Sequence, residues 1–305
     1  MIGRCISILV VWAIFLLAGC KKESLVITNN NAPWYDEIPT GIIENYVNRM
    51  YIDLIGREPL HVEMNADVEY LKASHLISES RDSLIRKLQL NTEWRDGDSS
   101  YKYAYYHKLY ELTKVRLVEG AANGEFQLRI GIALNGALVD SLNGDSVSMA
   151  IKKEIAAKLQ VVIDAEDEYR EGLTGLNDMC GRMINNSVYD QINMNTFNYI
   201  RATYNDLFLR YPSQSEYDQA FNMIEYNVSG ILFASSGQNK GDYVQILVNS
   251  REFYEGLIRW AYLTLMAREA KTTEVSAVIA EFYFDHDFQK VQRKIMVTDE
   301  YANFK

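Results

Sequence analysis

Four prolines and three cysteines in 305 residues set the first limits on this chain. Proline removes a backbone donor and blocks the helix it enters, so its scarcity leaves long stretches free to stay helical. The cysteines are Cys5, Cys20 and Cys180. The first two fall in a segment read below as a leader and its cleavage site. Cys180 then stands alone, and the body has no intrachain disulfide. Set in Leu176-Asn177-Asp178-Met179-Cys180-Gly181-Arg182-Met183, it reads as a small buried apolar residue rather than a nucleophile. Positive charge is also in short supply: 31 Lys and Arg against 41 Asp and Glu give a formal net charge of −10, with no basic cluster. Phosphate binding needs clustered Lys and Arg, so a nucleic-acid partner is excluded. The chain has no Gly-rich phosphate loop, no His-Glu-x-x-His, no Gly-x-Ser-x-Gly and no Cys-x-x-Cys-His. No convincing run of alternating apolar and polar residues marks a strand.

What is present begins at the N-terminus. Arg4 is followed by an apolar run of 14 residues, Ile6 to Gly19, and then Leu17-Ala18-Gly19-Cys20 closes it. A membrane-spanning helix needs roughly 17–25 residues, so the run is short for a span. A charged start, a short apolar core and small residues before the cut fit a secretory signal, and the tetrapeptide fits a bacterial lipobox. The expectation is a signal peptide over 1–19 and a lipid-anchored Cys20, whose buried acyl chains tether the protein to a membrane. An uncleaved signal anchor or a plain signal peptide is the competing reading. Lys21-Lys22-Glu23-Ser24 resembles, in part, the surface-export signal of Bacteroidota lipoproteins. No Asp follows Cys20, which favours the outer membrane. The address expected is therefore the outer membrane, either its surface or its periplasmic side. Residues 20–40 read as anchor and linker, with Asn29-Asn30-Asn31, Pro33 and Pro39 and little periodicity.

From Gly41 the apolar spacing is helical, with Ile43, Val47, Tyr51 and Leu54 on one face. Further helical stretches are predicted over 79–91, 99–118, 125–142, 147–170, 196–210, 214–228, 241–268 and 272–297. Breaks are expected at Gly120, Gly124, Asn143-Gly144, Gly172 to Gly175 and Ser235 to Gly241. The segment Ser235 to Gly241 reads as a polar connection between helices. Many of the 21 tyrosines fall at core or half-buried helix positions.

The chain also repeats itself. Tyr46 to Pro59 recurs as Tyr199 to Pro212, an offset of 153 residues, and a weaker third copy runs from Tyr262 to Glu269. Asn91-Thr92-Glu93-Trp94 resembles Ser250-Arg251-Glu252-Phe253 at a slightly larger offset. All three copies keep an Arg with a Glu six residues on: Arg57 and Glu63, Arg210 and Glu216, Arg268 and Glu274. Each Arg falls near a helix C-terminus, where a cation meets the negative end of the dipole. Pro59 and Pro212 stop that helix, and Ser213 with Glu216 forms a capping box for the next. The expected role of the six residues is a charged clamp across a helix–turn–helix, with a ligand or partner contact as the alternative.

The segments Val47 to Pro59, Ser83-Leu84-Ile85-Arg86-Lys87-Leu88 and Thr92-Glu93-Trp94 resemble the domain of unknown function of planctomycete cytochrome-c-associated surface proteins. They also resemble phycobilisome-linker-like helical repeats. The likeness covers 45–110 with an echo over 198–270, and it implies an all-α fold. It does not carry electron transfer, because the haem-attachment motif is absent, Leu209 replaces Gly56 in the second copy and Ala270 replaces Pro59 in the third.

Other residues that could carry chemistry read as structural. Asp285-His286-Asp287 are adjacent and cannot easily converge on a metal, so a solvated helix start is expected. His107 and Glu111, four apart, lack a third ligand. Glu166, Asp167 and Glu168 read as a solvated face. The expectation is an all-α body with internal helix–turn–helix repeats: a first repeat region over 41–118, a connecting region over 119–195 and a second repeat region over 196–305. Its expected function is a non-enzymatic outer-membrane lipoprotein without metal or cofactor, acting as an accessory or scaffold subunit of an envelope complex. Its expected partners are the membrane, through lipid at Cys20, and an outer-membrane protein. A surface glycan-binding lipoprotein that uses Trp34, Trp94 and Trp260 is the alternative, with a hydrolase of unrecognised acidic site behind it.

Overall fold

Side-chain caps set the helix boundaries through most of the body. Ser100, Asp145, Asn186, Asn195, Ser213, Asn239, Ser250, Asp287 and Thr298 each accept a backbone N–H of the first turn that follows them. Left-handed residues end many of the helices, among them Gly56, Leu209 and Ala267 at equivalent places of the three repeats. The computed structural model describes residues 38–94 and 99–304. The leader, Cys20, most of the 20–40 linker and Trp34 lie outside the described residues.

Among the described residues there are fifteen helices and one short hairpin. Copy one comprises α1 (Thr40–Ile55), α2 (His61–Ala73), α3 (Ser78–Leu90) and α4 (Tyr101–Val118). A long helical pair follows, α5 (Asn123–Leu142) and α6 (Ser146–Glu171), and then two short helices, α7 (Leu176–Ile184) and α8 (Ser187–Asn193). Copy two comprises α9 (Thr196–Phe208), α10 (Gln214–Tyr226), the hairpin β1 (Gly230–Leu232) and β2 (Ser235–Gly237), α11 (Lys240–Asn249) and α12 (Arg251–Met266). Copy three reuses α12 as its first helix and adds α13 (Thr272–Asp285), α14 (Phe288–Met296) and α15 (Asp299–Ala302). Copies two and three therefore overlap by one helix.

The last copy returns to the first. α14 packs on α3 and α15 on α1. Tyr46 donates its hydroxyl to Met296 O at 3.1 Å, and Arg49 donates to Tyr301 O at 2.8 Å. Arg81 meets Asp299 at 2.8 Å, and Tyr105 donates to Gln292 Oε1 at 2.6 Å. α7 joins the two ends of the body by packing on both α4 and α11. One continuous core results, built largely of Leu, Ile, Val and fully buried tyrosines.

The all-α architecture matches the expectation from sequence, and several details differ. The stretch 241–268 is two helices, because Ser250 ends α11 and caps α12. The stretch 272–297 is also two: His286 turns left-handed at φ 58° and Asp287 caps α14. Asp285-His286-Asp287 thus ends α13 and, through Asp287, forms the expected solvated start of α14. Ser235–Gly237 is the second strand of an antiparallel hairpin that pairs Gly230 with Gly237, not a loose connection. Gly124 lies inside α5 rather than at a break. In copy one the helix expected over 99–118 starts at Tyr101 behind its Ser100 cap, and Asn91 accepts the Glu93 N–H in a local turn before it.

Candidate functional site

Each repeat brings three residues together at its first helix–turn–helix. Arg57 donates to both Glu63 oxygens at 2.8 and 2.9 Å, Arg210 to Glu216 at 2.9 and 2.6 Å, and Arg268 to Glu274 at 2.9 and 2.7 Å. Each Arg also donates to the carbonyl of the next residue: Glu58, Tyr211 and Glu269. Each Glu accepts the backbone N–H that opens the following helix, from Leu60, Ser213 and Lys271 at 2.7–2.8 Å. Only copy two adds a side-chain cap, with Glu216 N–H on Ser213 Oγ at 3.3 Å. A tyrosine six residues before each Arg completes the unit. The guanidinium lies 5.7 Å from the Tyr51 ring centre, 5.2 Å from Tyr204 and 5.1 Å from Tyr262, within cation–π range. The repeating motif is therefore Tyr-x5-Arg-x5-Glu.

The electrostatics follow from these contacts. Burial pushes Glu63 up, but the hydrogen bonds from Arg57, Tyr101 and the Leu60 amide outweigh it and hold the carboxyl at about 2. Glu216 likewise resists burial through Arg210 and Ser213 and lies at about 2. At Glu274 the Arg268 hydrogen bonds are the largest effect, again giving about 2. Arg210 and Arg268 are raised by their carboxylate partners, with Glu252 and Glu274 leading respectively.

A third group distinguishes the copies. Arg210 also donates to Glu252, at the start of α12, at 2.9 Å. Arg268 donates to Glu300, at the start of α15, at 2.7 and 2.9 Å. In copy one the corresponding helix sends Tyr101, whose hydroxyl donates to Glu63 at 2.6 Å. Tyr101 lies 3.2 Å from the Tyr51 hydroxyl, Tyr51 donates to Asp67 at 2.8 Å, and Lys87 reaches the same Asp67 oxygen at 2.7 Å. Sequence spacing pairs each Arg with its Glu because they are six residues apart. Glu252 and Glu300 are 42 and 32 residues away from their Arg and carry no local signal.

Two open clefts flank clamp two and share Glu252 and Glu255 of α12. One, of about 450 Å³, adds Asn205, Leu209, Arg210, Arg259 and Glu269. The other, of about 610 Å³, adds Phe233, Gln245, Asn249, Arg251 and Tyr283. Both Glu252 oxygens already accept from Arg210, so the shared wall does not offer a free pair of carboxylates. Among the described residues no three His, Cys, Asp or Glu side chains converge to hold a metal.

The remaining candidates separate. Glu166, Asp167 and Glu168 each meet a different side chain, namely His107 at 2.9 Å, Arg170 at 2.6 Å and Arg182 at 2.7 Å. Glu111 holds Lys114 rather than sharing a ligand with His107. The His286 ring stacks on Tyr254 at 4.7 Å. Cys180 is buried, and burial pushes its thiol up to about 12. Trp94 is 76% exposed. Trp260 is not an open platform: it stacks on Phe288 at 5.8 Å and lies 5.0 Å from the Arg116 guanidinium. The two tryptophans therefore do not make a common glycan surface.

One exposed feature carried no signal in single-residue motifs. α5 packs along α6, and only its first turns reach the body. There Phe126 is fully buried, Asn123 accepts from Tyr110 and Lys114, and Arg129 donates to Gln191. Farther along, its apolar side chains Leu128, Ile132, Leu134, Leu138, Val139 and Leu142 are exposed. No protein-family model, curated protein or solved structure matches the chain.

Proposed function

We propose that the protein is a lipid-anchored outer-membrane lipoprotein whose helical body works as an accessory or scaffold subunit of an envelope complex and does no chemistry of its own. The observation that carries this reading is α5, which packs mainly on α6 and turns uncharged aliphatic side chains outward. A contiguous apolar patch of a few hundred Å² is often a functional surface. The clamps add support in a second way. Their charges are paired with one another, so they fix turns rather than wait for a ligand. Leu17-Ala18-Gly19-Cys20 supplies the anchor. No helix among the described residues is long and apolar enough to cross a membrane.

Metabolic labelling with a radioactive fatty acid and membrane fractionation test the anchor. Label and outer-membrane recovery are expected for the wild type, and both are expected to vanish in Cys20→Ala. Affinity recovery of the lipidated protein at native expression tests the role and is expected to bring down a fixed stoichiometric partner. An unlabelled wild type, or recovery of the protein alone, overturns the corresponding half of the proposal.

A further inference from the structure

We propose that the exposed face of α5 is a self-association surface, and that two copies of this chain pair through it as a helix-on-helix dimer. This deepens the reading of the α5–α6 pair as a contact surface, and it does not depend on the lipid. At 3.6 residues per turn, Leu128, Ile132, Leu134, Leu138, Val139 and Leu142 share an arc of about 160° with Gln127, Gly131 and Asn135. Phe126 and Ala137, the buried residues of α5, lie opposite. The three charged side chains of α5 fall outside the arc and are held on their own hairpin or next to it: Arg129 by Glu125 and Asp140 by Lys152. The apolar arc is therefore broad and uncharged, the kind of helix face that is normally covered.

The spacing says what covers it. Leu128, Ile132, Asn135, Val139 and Leu142 follow one another by four, three, four and three residues, the seam of a coiled coil, with a single polar Asn in the stripe. A facing helix fits that seam. Lipid has no need of the spacing, and helices that lie on membranes carry Lys and Arg along their flanks. Here Arg129, Lys152, Lys153 and Lys158 are balanced by Glu125, Asp140, Asp145 and Glu154, so the flanks carry no excess of positive charge.

A second α5 is the matching helix. The face carries no charge, so nothing on it repels its own copy, and a two-fold axis near Asn135 sets the stripe against itself. The Asn135 carboxamide, both donor and acceptor, can then bond to its mate across the axis. The area is also suitable. The six aliphatic side chains are 49–80% exposed. Complete burial of one such side chain removes on the order of 60–120 Å², so together they offer on the order of 200–450 Å² of apolar surface. A standard interface takes about 800 Å² per partner, of which roughly 65% is apolar in homodimers. The face offers roughly 40–85% of that apolar area, which fits a weak dimer strengthened when both copies are confined to one membrane.

The test is cross-linking of the full chain, purified in mild detergent, through Asn135→Cys with a short bis-maleimide. Glu69→Cys, exposed on α2, is the control. The expected result is a dimer-sized adduct from Asn135→Cys whose tryptic fragments join α5 to α5, with none from the control. Adding Ile132→Glu and Val139→Glu places charges in the stripe without touching the core, and the adduct is expected to fall about tenfold or more while the helical circular dichroism stays unchanged. Absence of an adduct above the control overturns the proposal, as does an adduct undiminished by the two glutamates or one formed only with lipid or another protein. Failure of the fatty-acid label at Cys20 leaves this readout intact, so the two claims fall separately.

Discussion

Tyr204 and Tyr51 occupy the same place in successive copies and differ in what meets the hydroxyl. Tyr51 donates to Asp67, whereas the residue 153 positions after Asp67 is Ala220. The Tyr204 hydroxyl is accordingly buried without a hydrogen-bond partner. A buried polar group without a partner costs about 1–3 kcal/mol, and a partnered one does not. Tyr204→Phe is therefore expected to raise unfolding free energy by about 1 kcal/mol, and Tyr51→Phe to lower it, because Asp67 and Lys87 stay behind. Urea denaturation of the two variants against the wild type measures both signs. The clamp carboxylates make a second residue-scale prediction. Glu63, Glu216 and Glu274 ordinarily titrate near 4.5 and are held at about 2 in the fold. A lowered folded value means stability that is complete above 4.5 and is lost as pH falls toward 2. Asp53 and Asp206 run the other way, because burial raises them. The melting temperature is expected to drop between pH 4.5 and 2. The Glu63→Gln, Glu216→Gln, Glu274→Gln triple variant should start lower at neutral pH and fall less on acidification. The Arg and Glu of each clamp were legible in the sequence because six residues connect them through one turn. The tyrosine six residues before each Arg stood equally in view, but its part in the clamp depends on a ring lying under a guanidinium, which only packing decides.

At the scale of elements the critical contact is where α9 crosses α12. A Cβ placed on Gly256 would sit 2.0 Å from Leu207 O and 3.4 Å from Phe208 Cα, so the two helix backbones touch and cannot admit a methyl group. Overpacking of a core usually costs about 1–3 kcal/mol, and a clash with backbone is harder to relieve than one with a side-chain end. Gly256→Ala is expected to cost about 3 kcal/mol or more, with unfolding followed in urea. Gly56→Ala provides the contrast. Its new Cβ meets only the flexible Lys108 side chain at 3.3 Å, so its cost comes mainly from the left-handed φ of 75°. That same left-handed position is filled by Leu209 and Ala267 in the other copies, at φ 59° and 51°. Element existence was readable where apolar periodicity ran long, as in α4, α5 and α6. Boundaries were not readable where a helix ends and the next begins with no Gly or Pro between them. Ser250 ends α11 and caps α12 in a single residue, so apolar spacing runs on across it. α7 and α8 are too short to establish a period, and strands of three residues cannot display alternation.

Among the described residues the repeats overlap and close on one another, and only the outer part of the long α5–α6 pair projects from them. α12 is the last helix of copy two and the first of copy three, so clamp two at its start and clamp three after its end are joined by a single rigid element. α14 and α15 then close onto α3 and α1. Stability in this arrangement belongs to the repeats. The outer part of the α5–α6 pair adds little: of residues 137–151 only Ala137 is buried. The two helices are already adjacent at Gly136, where a Cβ would meet Lys152 Cδ at 3.0 Å, so the chain can be reclosed there by a short turn. Replacing residues 137–151 with such a turn removes one buried methyl group and the half-buried Asp140–Lys152 ion pair, whose two charges leave the low-dielectric site together once Lys152 turns to solvent. For a body of this size about 1 kcal/mol shifts the melting temperature by roughly 2–4 °C. The shortened chain is expected to melt within that margin of the full chain and to keep its circular dichroism. It should nevertheless lose whatever the α5 face recognises, because Leu138, Val139 and Leu142 leave with the tip. A collapse of the melting temperature would mean instead that the pair props up the repeats, and the exposed aliphatic face would then need a structural explanation rather than a partner.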